Sequence, residues 1–145
     1  VSCVILLLLV ATAVGVVHGL KETARDRFDS MTGIYPDIAT LRGGCDAFKH
    51  VYASGVMTLV LDEDLARLAG RAVELAEQEP CRQQTHNLIN NAVGRGFAQT
   101  PQVRSAKQPS AMLAEYIAAA LVRPDTELSL DVWVDPRLQD LCASD

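Results

Sequence analysis

The segment Glu127-Leu128-Ser129-Leu130-Asp131-Val132-Trp133-Val134-Asp135 decides the fold class. Leu128, Leu130, Val132 and Val134 alternate with the polar residues and Trp133, and a period of two puts the four aliphatic side chains on one face of a β-strand. Pro136, which has no N–H to give to a ladder, ends the run. The rest of the chain is patterned for helices. The expected fold is therefore α+β and helix-rich: about three main helices packed on a short sheet, preceded by an N-terminal hydrophobic helix. Alternation also sets Trp133 on the polar side of its strand, partly exposed or covering a helix, where it serves the core or, alternatively, contacts a partner.

Working back from the strand, Ser110 caps a predicted helix over Ala111–Val122, and Pro124 closes it. Gln99–Pro109 is polar, carries Pro101 and Pro109, and reads as an exposed loop. Asn87–Ala98 has a weak helical pattern. The strongest helix signal is earlier. Asp62 is a good N-cap, Glu63 and Asp64 complement the positive end of the helix dipole, and Leu65, Leu68, Ala69, Ala72, Leu75 and Ala76 recur at three- and four-residue steps. Before that, Asp46 can cap a helix with Phe48, Val51 and Tyr52 on one face, and Gly55 is placed to end it. The chain divides into a hydrophobic segment (1–20), a connector (21–44) and a small α+β domain (45–145).

Val1–Leu20 contains no Lys, Arg, Asp or Glu, so all 13 basic and 18 acidic residues, and the net charge of −5, belong to the remainder. An apolar run of this length fits either a signal peptide, with Val17-His18-Gly19 before the mature chain, or a single spanning helix, which needs about 17–25 residues. Both readings send the chain along a membrane route, and the expected address is secreted or anchored through Val1–Leu20 with the domain on the non-cytoplasmic side. Mild acidity argues against a nucleic-acid partner. Arg82, Arg95, Arg104 and Lys107 are too dispersed for a basic face. In an exported domain Cys45, Cys81 and Cys142 are candidates for one disulfide with one thiol left over, and their spacing is too wide for a zinc site.

The order of these pieces resembles a known family. Leu59-Val60-Leu61-Asp62-Glu63-Asp64-Leu65-Ala66-Arg67-Leu68-Ala69 is similar to the Leu-x-Trp-Asp-x-x-Leu-Ala-x-x-Ala signature of the CAP superfamily, which includes cysteine-rich secretory proteins, insect venom antigens and plant pathogenesis-related proteins. Cys81 and His86 fall where that family often has Cys and then His-Ser. Gly94-Arg95-Gly96-Phe97-Ala98 resembles its Gly-Glu-Asn-Leu-Ala, and Val132-Trp133 followed by Cys142-Ala143 resembles its Val-Trp followed by Gly-Cys. The resemblance spans Cys45 to the C-terminus and implies a helix–sheet–helix sandwich. Of the two His and two Glu that hold a metal in many relatives, only His86 has a counterpart. Arg95, Ala118 and Glu127 stand at the other three places, so the resemblance implies a shortened relative without metal.

The sequence offers no other chemistry. Cys81 with His86 and Cys45 with His50 are the nearest approaches to a nucleophilic pair, which needs a third group to orient it. The cysteines read as bridged or buried and both His as ordinary surface residues, and Glu74, Glu77 and Glu79 read as a solvated helix end. No phosphate loop, dinucleotide fingerprint or nucleophile elbow is present. The expectation is a protein that is not an enzyme and has no catalytic residues, metal or cofactor: a CAP-like binding or scaffold domain, or alternatively a single-span accessory subunit stabilising a larger membrane complex. Its partners are expected to be proteins; nothing in the sequence supports a lipid ligand.

Overall fold

A computed structural model describes residues 3–143. Seven α-helices and one 3-10 turn make up its regular structure: α1 (Cys3–Thr32), the turn Pro36–Thr40, α2 (Gly44–Val60), α3 (Glu63–Glu77), α4 (Cys81–Ala98), α5 (Pro101–Arg104), α6 (Pro109–Leu121) and α7 (Pro136–Leu141). Among the described residues there is no strand, so the α+β expectation is corrected to an all-helical bundle, without the sheet of a CAP-like sandwich.

The reason lies at residues 128–135. Leu128 and Ser129 are both buried, which breaks the alternation at its first step. The Asn90 side chain takes the place of a neighbouring strand: its Nδ2 donates to the Ser129 carbonyl at 2.9 Å and its Oδ1 accepts from the Ser129 N–H at 2.9 Å. Beyond that, Asp131 bends the chain. Its carboxylate accepts from the Trp133 N–H, and its carbonyl accepts from Val134 and Asp135, a side-chain-stabilised turn of the kind Asp favours. Pro136, read as a strand stop, instead sits in the first turn of α7, where its missing N–H costs nothing. Pro101 and Pro109 likewise open α5 and α6 within the stretch read as a loop.

α2 is the central helix and packs on α1, α3, α4 and α6. Ala47, Phe48, Val51, Tyr52, Ala53 and Met57 are all buried along it. It does not stop at Gly55; there the missing side chain admits Leu113 of α6 and the Gly94 carbonyl of α4. Gly43 precedes it at φ +73°, and a Cβ at that position would collide with the Leu130 carbonyl oxygen. Phe48 is flanked by the Phe28 ring edge-on and the Tyr52 ring stacked.

α1 corrects the anchor. It runs past Leu20 without a break, and Val17, Ala24, Phe28 and Met31 turn one face into the bundle. The charged residues from Lys21 onward thus belong to the same helix as the apolar run. No helix among the described residues is long and apolar enough to cross a membrane, which overturns the single-pass transmembrane reading. Val1 and Ser2 lie outside the described residues. At the other end, a Cys81–Cys142 disulfide ties the start of α4 to the end of α7, leaving Cys45 as a free, half-buried thiol.

Candidate functional site

α2 and α4 cross through a polar seam. On α4, Asn87, Asn90 and Asn91 recur with His86 at helical spacing and are all buried; on α2, His50 and Ser54 face them, and Glu74 enters from α3. Burying so many polar groups is tolerable only if they are partnered, and among the described residues the one fully buried side-chain polar atom without a partner, Arg95 Nε, is not one of them. Asn87 Nδ2 donates to Glu74 at 2.9 Å and to Glu79 at 2.7 Å, Asn91 Nδ2 donates to Glu74 at 3.3 Å, and Ser54 Oγ donates to the Asn91 carbonyl at 2.8 Å.

The seam has two ionisable centres. In the first, the His50 ring lies 3.7 Å from the Glu74 carboxylate. Burial, reinforced by the Lys21 charge, pushes His50 down from its ordinary 6.5 to about 4, against the opposing pull of Asp46, so the ring is neutral at neutral pH. His86 and Lys49 add to the depression. Burial also pushes the Glu74 carboxyl up, and the Asn87 hydrogen bond counters it. Around this pair there is space of only about 10 Å³, scarcely one water.

In the second centre, Asp46, His86, Ser129 and Asp135 form a chain across α2, α4 and the tail. His86 Nε2 is 3.5 Å from the Asp46 carboxylate, and His86 Nδ1 is 2.9 Å from Ser129 Oγ. Ser129 Oγ donates onward to Asp135 at 2.7 Å. The hydrogen bond from His86 holds Asp46 well below the usual carboxylate range despite burial, and Arg137 holds Asp135 near 2. A carboxylate–His–Ser order invites comparison with acyl-transfer triads, but a nucleophilic serine must give its proton to the histidine. Here that proton is committed to Asp135, and Ser129 is fully buried. The arrangement clamps the C-terminal tail onto α4.

His86 is buried in this clamp and His50 in the first centre, so the reading of both as surface residues is corrected. Glu74, Glu77 and Glu79 do gather, with one oxygen each within 4.8 Å. Glu74 is nonetheless buried, its neighbours in the group are taken by Asn87 and by the Lys21–Glu77 ion pair at 3.2 Å, and the positions a cation would fill are occupied by donors. Trp133 is 68 % exposed, with the Arg82 guanidinium 5.9 Å from its ring centre. Asp46 was read only as the cap of α2, a place Gly43 takes instead, and Ser129, Asp135 and the three asparagines escaped sequence reading. Their one signal was the 87, 90, 91 spacing, which matches a core stripe written in polar residues.

Acid titration tests the first centre. The folded form refuses a proton at His50 that the unfolded chain accepts below pH 6.5, so stability is full above that pH and is lost as pH falls toward 4. The expected loss is about 3 kcal/mol at most, partly offset at the lower end by protonation of Glu74. Urea denaturation at pH 7 and pH 4.5 should show a steeper loss in the wild type than in H50Q; equal slopes would refute the assignment.

Compared with known proteins, the chain matches no family model, no curated protein and no solved structure.

Proposed function

We propose that the chain is a non-catalytic binding module of an oxidising, exported environment, and that α3 receives an apolar helix of a protein partner. One observation carries the reading. The best amphipathic helix in the sequence turns its leucines outward: Leu65, Leu68 and Leu75 of α3 are 50 %, 65 % and 71 % exposed, while the smaller Ala66 and Val73 face the bundle. With the half-buried Ala72 these positions step by three, four and three, the spacing of a helix–helix seam about 15 Å long. A monomer rarely shows water an apolar stripe of this extent. The disulfide supports the compartment, and the committed hydrogen bonds of the interior support the lack of catalysis.

In the purified chain the nearest apolar helix is α3 of another copy. Sedimentation velocity over a rising concentration series should therefore show reversible self-association for the wild type. L65E/L68E should weaken it at least tenfold and leave the melting temperature within a few degrees, because both side chains are solvent-facing. A wild type that stays monomeric up to millimolar concentration would overturn the reading, as would a double variant that associates equally well.

A further inference from the structure

Three arginines converge where α3 meets α4. Arg67 and Arg71, one turn apart on α3, and Arg95 on α4 border a cleft of about 200 Å³, floored by Gly70 and walled by Leu88 and Ala92. Their charges are unequally answered. Arg67 is ion-paired to Asp64 on the outer side of α3, whereas neither Arg71 nor Arg95 has a carboxylate within ion-pair distance among the described residues. Arg95 Nε is buried and has no hydrogen-bond partner, the only side-chain polar atom so placed among the described residues. Burial lowers the Arg95 pKa; Glu63 opposes that shift, and Arg67 and Arg71 add to it. Glu63 itself accepts from Gln99 at the rim, at 2.9 Å.

A buried guanidinium donor left without an acceptor, beside a second unpaired arginine, is an arrangement that lacks an anion. We propose that the α3–α4 cleft binds a tetrahedral oxyanion, a phosphate or sulfate ester group, with Arg95 and Arg71 as the forked donors and Leu88 and Ala92 against the ester's apolar body. Planar guanidinium groups suit such an anion because each can offer two parallel N–H donors, which an ammonium group cannot. The cleft's volume admits one such group and a few further atoms. The site lies on the α4 side of α3, beside the leucine stripe, and needs no partner helix to form.

The test is a nitrogen–proton NMR titration of the full chain with sodium sulfate and, separately, sodium phosphate, against sodium chloride at matched ionic strength. The Arg95 Nε–H resonance and the Leu88 and Ala92 amides should shift and saturate with sulfate or phosphate and stay fixed with chloride. The relative affinities decide which ester class the site favours. R95Q and R71Q should each weaken binding about tenfold or more, R95K should recover only part of it, and the distant R104Q should bind as wild type. L65E/L68E should bind normally too, which separates this site from the helix-docking surface. Two results would overturn the proposal: an Arg95 Nε–H signal unmoved by either anion, or shifts that persist unchanged in R95Q. If R95Q fails to fold, the R71Q titration and the wild-type Arg95 resonance decide the matter.

Discussion

C81S/C142S is expected to lose about 4 kcal/mol of unfolding free energy relative to the oxidised chain. The bond closes a loop with a sequence separation of 61, and restricting the unfolded ensemble over that length is worth about 4 kcal/mol in the chain-entropy treatment. The native geometry adds a local reason. α7 is only six residues long, and Leu138 and Cys142 are the buried anchors of that end of the chain. Without the bond, the tail relies on the Asn90–Ser129 pairing and the Asp135–Arg137 ion pair. Urea denaturation of C81S/C142S beside C45S checks this. C45S should change stability little, since Cys45 is unbridged and only half-buried. A double-serine loss below about 1 kcal/mol would show that the bridge constrains little.

Gly94→Ala is expected to cost about 3 kcal/mol, the upper range of core overpacking. A Cβ there would stand 2.2 Å from the Val51 carbonyl oxygen and 2.9 Å from its carbon. These are backbone atoms of the central helix, so no rotamer change relieves the clash, and α2 and α4 must part. Parting them also stretches the hydrogen bond from Ser54 to the Asn91 carbonyl. Gly96, two residues on, is the internal control. A Cβ at Gly96 meets nothing within 4 Å, so G96A should stabilise by up to about 1 kcal/mol through helix propensity alone. Thermal or urea unfolding of the two variants should move in opposite directions; a G94A midpoint equal to wild type would mean that the helices do not meet this closely.

Helix positions were the legible part of this sequence. The α3 start at Asp62 was readable because the cap is local: its carboxylate accepts from the Leu65 N–H, three residues away. The direction in which α3 faces was not readable. A stripe of leucines shows that a helix is amphipathic and not what covers it, and here the smaller side chains of the opposite arc fit against α1 and α2. The strand failed for a related reason. Alternation at 128–134 describes a side-chain pattern, but a strand also needs a backbone partner, and no second segment was patterned to supply one. Asn90 supplied it from a helix, a long-range pairing that no local period announces. The proline readings failed because the same ring ends one element and opens the next, and only context separates the two. The buried network was hidden for the opposite reason to the leucines: polar residues at core spacing look like a solvent face.

The Asn90 clasp bears on how this protein behaves when crowded. An extended segment beside a helix bundle ordinarily presents unused amide and carbonyl groups, a template onto which neighbouring chains add. At Ser129 both groups are already satisfied from within, and the Asp131 turn curls the next residues away before a second rung could be offered. Among the described residues, this stretch therefore has no free amide and carbonyl pair at Ser129 onto which a neighbouring strand could add, a single side-chain amide standing in place of a whole strand.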